Sequence, residues 1–557
     1  MNRRRTTLTL LLTLLAVLPG ITAAHATSYS QIEGSGSTWS KNIVDQWIAD
    51  VTANGMAVVY SGTGSSQGRK DFANGTTDFG ISEIPYQGTD EFGNADTSNG
   101  RDYAYLPIVA GGTAFTYQLK VGTTMVRNLR LSGETLAKIF TNQITDWSDP
   151  AITKDNNGRA FPALPITPVV RSDGSGTTAQ FTTWLDNQYP SIWRPYFGRS
   201  GLTSYYPRKG RAIGQAGSDQ VMNTIASKVG NGTIAYIEYS YPINKIAEDG
   251  KPYPVVKVLN RGGFFVEPTQ YNVAVALTRA KINHDRSSQL YLTQILDGVY
   301  SFDDPRAYPL SSYSYMIIPT GADDTRMTTS KRQTLADFMF YSLCTGQTKA
   351  GDYGYSPLPL NLVQAGFEQL AKLHAADKNV VVTNRDVTRC NNPTFVAGDL
   401  SRNHLAEIAP MPADCDKVGA GPCGTDTGHN QPSTNDNTDD QGDNDGDPND
   451  NTPGNDQDGP SGPNSTGPGE DPGGPGTTDP GSSTSIDPET GLPIGTDNTS
   501  TSSGSAIYAN PTELVAEREA DRRTFGVLAV GELLALVLLP GLFVGWSRRR
   551  RTGRAVR

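Results

Sequence analysis

Apolar and polar positions along the chain fall into three regimes. Between about residues 27 and 423, short apolar runs rich in β-branched and aromatic residues alternate with stretches whose apolar positions recur every three or four residues. The runs Ala57–Tyr60, Tyr105–Val109, Pro168–Val170, Gly232–Ile237 and Tyr315–Pro319 predict strands. The periodic stretches Trp39–Val51, Gly133–Phe140, Thr177–Asn187, Asp219–Ser227 and Lys331–Leu343 predict helices. This alternation predicts an α/β fold with largely parallel sheets. A portion of about 400 residues exceeds what one hydrophobic core usually serves, so two lobes are expected. The stretch beyond Ala376 has little periodicity and reads as an extension packed on or beside the lobes.

The second regime is the two apolar ends. Arg3, Arg4 and Arg5 precede the apolar run Leu8–Leu18, and Ala24-His25-Ala26 follows, which predicts a secretory signal over residues 1–26. Phe525–Trp546 is long enough to span a bilayer and is followed by Ser547 and Arg548–Arg551. It predicts a transmembrane helix over residues 525–546 and a basic cytoplasmic tail over 547–557, with the bulk of the chain outside the cell. Glu532 within that run is tolerated most easily near the outer interface.

The third regime, residues 424–505, consists almost entirely of Asp, Asn, Gly, Pro, Ser and Thr and predicts a disordered acidic linker. A flexible chain of that length spans about 50 Å. The charge is segregated accordingly: this stretch holds 16 acidic residues and no Lys or Arg, so a total of −10 leaves +6 for the remainder. That mild surplus, partly at the chain ends, argues against a nucleic-acid partner. Within the linker, Asp443-Asn444-Asp445-Gly446-Asp447 has alternate carboxylates, but Pro448 replaces the turn glycine of a calcium loop and no closing Glu follows.

Only 4 Cys occur in 557 residues, which excludes a disulfide-dense scaffold. Cys344, Cys390, Cys415 and Cys423 suit an exported, oxidised chain and leave three pairings open. None is at CxxC spacing and none has a neighbouring His, so no metal is expected, and nothing calls for a cofactor.

Three Gly-rich, hydroxyl-rich elements carry the candidate chemistry. They are Gly34–Trp39 ahead of a helix, Ser61–Gly68 after a strand, and Arg171–Thr177 between the strand Val169-Val170 and a helix. Each sets free backbone N–H groups and hydroxyls at a helix N-terminus, where the helix dipole favours an anion. Three such elements converging make a pocket for a tetrahedral oxyanion.

These elements, together with Asp78-Phe79-Gly80-Ile81-Ser82-Glu83, Leu131–Leu136 running on to Asp146-Trp147, and Gly230–Tyr236, resemble in order the motifs of the phosphate-binding (PstS-like) proteins of high-affinity phosphate ABC transporters. The likeness spans about Gln31–Phe367. It implies a two-lobed type II periplasmic-binding-protein fold with the ligand cleft between lobes, each built from non-contiguous chain: residues 27–112 and 310–375 for the first, 113–309 for the second, and 376–423 as a Cys-containing extension. Chain crossings near Val109–Thr113 and Leu310–Met316 would form the hinge. The resemblance implies inorganic phosphate as ligand, held by hydroxyls of Thr38, Ser65, Ser175 and Thr177, by backbone N–H groups of Trp39 and Gly176, and by Arg171 oriented by Asp173. It also implies delivery to an ABC permease. Phosphate near neutral pH keeps a proton that sulfate lacks, so an acceptor carboxylate discriminates between them. The family has Asp for that role; Glu83, one methylene longer, matches it here, and its neighbour Ser82 is also placed to reach inward. Trp39 stands where the family usually has Phe.

Two other function classes compete with this one. A serine hydrolase would need a base beside Ser65 or Ser175, but neither lies in a G-x-S-x-G elbow, and His284, His374 and His404 adjoin none of the Gly-rich elements. The expectation is therefore a binder, not an enzyme. A surface scavenger, adhesin or wall-structural protein on the same fold, or a binder of sulfate, is the alternative, since nothing in the residues themselves names a permease.

Overall fold

The computed structural model describes residues 29–423 apart from 384, 386, 388, 389, 397, 398, 400 and 401. The signal at 1–26, the acidic linker at 424–505 with its Asp443–Asp447 stretch, the apolar run Phe525–Trp546 with Glu532, and the tail 547–557 lie outside the described residues. Among the described residues no helix is long and apolar enough to cross a membrane.

The first lobe begins with β1 (Ile32–Gly36), α1 (Lys41–Thr52), β2 (Val58–Ser61), α2 (Ser65–Ala73) and β3 (Phe79–Ser82). A short hairpin of β4 (Gly88–Thr89) and β5 (Ala95–Asp96) leads into the long strand β6 (Tyr103–Gln118). The second lobe adds α3 (Gly133–Phe140), β7 (Thr167–Arg171), α4 (Gly176–Gln188), β8 (Ile213–Gln215), α5 (Gly217–Ile225) and β9 (Thr233–Glu238). After α6 (Gln270–Leu277) the chain returns through β10 (Ser311–Pro319), α7 (Thr329–Leu343) and α8 (Leu360–Ala376).

Eight of these strands form one sheet in the order β8-β7-β9-β6-β10-β3-β1-β2. Each flank is parallel: β1 pairs β2 and β3, and β7 pairs β8 and β9. The centre is antiparallel, because β6 pairs β10 along Tyr103–Gly112 and then β9 along Thr113–Gln118. A single strand thus changes partner between Gly112 and Thr113, which is where the chain passes from one lobe to the other. The return passes beside it, with Thr113 N donating to Leu310 O at 3.0 Å. The fold is the expected two-lobed α/β one, and its parallel flanks bring the C-terminal strand ends and the following helix N-termini toward the cleft, the usual ligand position in open α/β sheets.

Local chemistry accounts for the elements. α1 buries Ile43, Val44, Trp47 and Val51 on one face. α3 starts at Ser132, whose side chain accepts from Thr135 N, with Glu134 in its first turn. Every strand and helix named from the pattern is present, with ends shifted by a few residues. β6 extends well beyond Tyr105–Val109, because residues on both faces of a central strand are buried and continue to pair. α2 was expected only as a helix start at the Ser61–Gly68 turn, because SSQGRKDFA has a weak apolar period; packing against β1 and β3 supplies what propensity does not.

The disulfides join Cys344 to Cys390 and Cys415 to Cys423. The first pins the extension to the end of α7. The stretch then reaches the second lobe, where the Lys257–Asp416 ion pair, 2.7 Å long, is buried on both sides. Arg130 Nη1 donates to Cys415 O and Ala420 O there, and Asn128 Nδ2 to Cys423 O.

Candidate functional site

The turn from β1 into α1 carries Ser37, Thr38 and Trp39, all buried. Gly36 at its start has φ +134, and its α-carbon is packed so closely against Ile81 O that a β-carbon would collide. Ser37 Oγ accepts from Trp39 N at 3.0 Å and Ser40 N at 3.3 Å, satisfying donors that open the helix, and donates to Glu83 Oε1. Glu83, just past β3, is buried; its other oxygen accepts from Ser65 Oγ at 2.6 Å. Ser65 begins α2, whose preceding residue Gly64 (φ +90) offers no side-chain cap.

The second lobe presents the turn from β7 into α4. Arg171, buried, holds Asp173 with two parallel bonds, Nε to Oδ1 at 2.6 Å and Nη2 to Oδ2. Asp173 Oδ1 also accepts from Gly217 N at 3.0 Å, at the start of α5. Ser175 caps α4 through Thr178 N, and Thr177 Oγ1 in the first turn is buried with no partner among the described residues. Such a hydroxyl costs free energy unless something polar meets it.

The walls meet closely. Gly176 N donates to Ser65 Oγ at 3.1 Å, Ser66 N to Gly174 O at 3.0 Å, and Ser218 N to Thr38 Oγ1 at 3.2 Å. A β-carbon on Gly176 would run into the Glu83 carboxylate, so only glycine lets this helix start approach the acid. The structure therefore brings together all nine residues singled out from the sequence: Thr38, Trp39, Ser65 and Glu83 on one wall, Arg171, Asp173, Ser175, Gly176 and Thr177 on the other. The N–H groups of Trp39 and Gly176 are engaged by Ser37 and Ser65, since orphan N–H groups at helix starts take the nearest hydroxyl. Ser82 does not reach inward; its Oγ donates to Ile84 O and accepts from Arg69.

The electrostatics of the walls follow from burial and pairing. Burial pushes the Glu83 carboxyl above its usual 4.5, against the pull of the Ser37 and Ser65 hydroxyls and of Arg171. Burial acts on Asp173 in the same sense, but the Arg171 guanidinium prevails and holds it below the usual carboxylate range. Arg171, opposed by burial, is raised by Asp173. The wall groups are thus a fixed cation, its carboxylate, a second carboxylate pushed by burial toward its neutral form, and several hydroxyls. No histidine touches them: His284 instead lines a cavity of 480 Å³ with Leu277, Tyr313 and Arg402 that includes none of the nine residues.

A PBP superfamily domain matches residues 22–345, more than half of the chain. The phosphate-binding protein PstS of Methanocaldococcus jannaschii is 30% identical over 346 residues, covering 60% of this chain and 84% of that protein. The chain belongs to the PBP superfamily and to its PstS family. Phosphate-binding protein PstS 3 of Mycobacterium tuberculosis is likewise 30% identical over 330 residues, 59% of this chain and 82% of that one. Among solved structures, a DING protein is similar at 20% identity and a TM-score of 0.46 (70% of this chain, 99% of that one). The phosphate-binding protein of Stenotrophomonas maltophilia gives 15% and 0.46 (60% and 92%).

In this PstS-family chain four further residues belong to the site and were not singled out from the sequence. Ser37 positions Glu83, as above. Ser218 Oγ lies 2.9 Å from Thr38 Oγ1 and 3.4 Å from Arg171 Nη1. Tyr241 OH donates to Thr38 O at 2.5 Å, and Tyr236 OH accepts from Arg171 N at 3.2 Å. For Ser218 a signal existed: Gly217-Ser218 ahead of a helical pattern is the same small-residue signature as the other three elements. The tyrosines sit on or just after a strand and carry no such local mark.

Proposed function

We infer that this PstS-family chain captures inorganic phosphate outside the cell and delivers it to an ABC transporter permease. The observation that carries the reading is the cleft itself: a buried, bidentately held Arg171 and hydroxyls at helix starts face a buried carboxylate, Glu83, from the opposite wall. The relatives that match most of their own length are named phosphate-binding proteins, which supports the same ligand and argues for a binder over an enzyme. In this reading Thr38, Ser65, Ser175 and Thr177 donate to the phosphate oxygens, Arg171 supplies the cationic fork, and Glu83 accepts the proton that phosphate keeps and sulfate lacks. Trp39 and Gly176 contribute backbone N–H groups once Ser37 and Ser65 turn to the ligand. Closure comes from bending where β6 changes partner and where the chain returns at Leu310. The protein is anchored in the plasma membrane by the apolar run Phe525–Trp546, with its bulk outside the cell and the acidic linker as a spacer; the arginine tail and the secretory signal at the other end support that arrangement.

Calorimetry on the purified protein, freed of endogenous phosphate, tests this. Tight phosphate binding with no heat from sulfate at mildly basic pH is expected. Binding of neither anion overturns the reading and moves an adhesin or wall-structural role to the front.

A further inference from the structure

The hairpin β4–β5 and its tip stand apart from the site residues yet reach across the cleft. Its base is rigid: Arg69 and Asp96, both buried, form a bidentate pair, with Asp96 Oδ2 also accepting from Gln87 N at 3.1 Å. Its tip is shaped by Asp90, whose Oδ1 accepts from Phe92 N at 3.0 Å and Asn94 N at 2.7 Å, with Gly93 at φ +84 completing the turn. A rigid base and a preformed turn leave Glu91 and Phe92 projecting. Both touch the second lobe. Glu91 Oε1 accepts from Ser204 N and, at 3.2 Å, from Thr203 Oγ1. The Phe92 ring meets Tyr205 edge-on with centroids 4.8 Å apart, although two thirds of Phe92 is exposed. The contact leads directly to the site wall, because Ser204 O accepts from Ser175 N at 3.0 Å.

We propose that this hairpin is the latch of the closed form, with Glu91 the residue that holds Thr203-Ser204 and, through them, the Ser175 turn. This rests on the phosphate-binding reading and deepens it by assigning what governs how long the ligand stays. Glu91 is a positioning residue that touches no ligand. Its bonds and the Phe92–Tyr205 contact join the two lobes through residues other than those of the β6 crossing, so they exist only when the lobes are together. Contacts of that kind slow release and leave encounter unchanged.

The test measures association and release of radiolabelled phosphate with the full chain. Glu91→Ala is expected to raise the release rate about tenfold, the scale of losing a charge-assisted hydrogen-bond pair, and to leave the association rate within about twofold. Phe92→Ala raises release by a smaller factor. Glu91→Gln keeps an acceptor oxygen and restores most of the retention, which a general packing defect would not allow. An unchanged release rate in Glu91→Ala, or a loss that falls on association, overturns the latch. A second measurement separates it from the ligand assignment: spin labels at Asn54→Cys and Gln220→Cys report the distance between lobes. Broadening of that distance on Glu91→Ala supports the latch even if wild type binds no phosphate, in which case the functional reading alone fails; an unchanged distance overturns the latch whatever the ligand.

Discussion

On the second lobe's wall, buried Arg171 and the half-buried Asp173 hold each other in the charged form; on the first lobe's wall, Glu83 is buried, accepts from the Ser37 and Ser65 hydroxyls and is pushed by burial toward the neutral form. The two arrangements have different uses. A carboxylate paired to a guanidinium keeps its charge at any physiological pH, so the second wall presents a fixed attraction to an anion. A carboxylate that burial pushes toward the neutral form, with bonds from the Ser37 and Ser65 hydroxyls, is the group to which the proposed function gives the task of telling a protonated anion from an unprotonated one. In the proposed function, attraction and discrimination reside on opposite walls and meet on closure.

The contrast can be broken most severely on the cationic side. Arg171→Ala removes the buried fork and leaves Asp173 at the cleft wall without its cation, so phosphate affinity falls by about 3–5 kcal/mol, on the order of hundreds- to thousands-fold. Calorimetry checks this, with Asp445→Ala as a control expected to bind as wild type. An effect under tenfold would show that the second wall is not the anchor.

The other wall is sharpened by Glu83→Gln. An amide offers a donor where the carboxylate repels, so sulfate binding should appear while phosphate weakens by about 1.5–3 kcal/mol. Competition of sulfate against labelled phosphate reads both. A smaller version comes from acid alone: as pH falls toward the raised value of Glu83, the residue gains a proton and can itself donate, so wild-type discrimination against sulfate should be poorest at acidic and best at basic pH. Glu83→Gln should show no such trend.

Ser37→Ala removes one donor to Glu83 and should weaken phosphate by about 1 kcal/mol. It should also move the onset of sulfate binding to higher pH, since loss of a donor to the ionised form raises that carboxyl further. An effect on affinity with no shift in onset would mean that Ser37 acts on the fold alone.

Stability gives the mildest test. The raised value of Glu83 means that its contribution is fully present below the usual 4.5 and is lost as pH rises through the raised value. Asp173 has the opposite sign: its contribution is present above the usual 3.8 and is lost as pH falls through its lowered value. Thermal unfolding against pH should therefore lose stability more gently on the alkaline side in Glu83→Gln than in wild type, with the acid limb unchanged.

Much of the fold was legible because strands and helices here bury continuous faces: Gly133–Phe140 and the apolar start of β9 declare themselves by period alone. Only the start of α2 was legible, from its Gly- and hydroxyl-rich turn, because SSQGRKDFA has almost no apolar face; the hairpin Gly88–Asp96 was hidden because its tip, Asp-Glu-Phe-Gly-Asn, looks like any polar turn. The site was legible wherever glycine and hydroxyl residues precede a helix, since that pairing is both a turn requirement and an anion-binding device. The tyrosines that brace it were not, because Tyr236 and Tyr241 have the composition of ordinary core residues.

By itself the sequence determined the alternation of elements, the three helix starts able to hold an oxyanion, the segregation of charge into 424–505 and the even set of cysteines; each depends on neighbours a few residues apart. Only the tertiary structure decided that Cys344 pairs with Cys390 across 46 residues, that β6 serves both lobes, that Ser37 and Ser65 close on Glu83, and that Glu91 reaches Ser204. Those are contacts between distant parts of the chain, set by how whole faces pack, and no local pattern of residues specifies them.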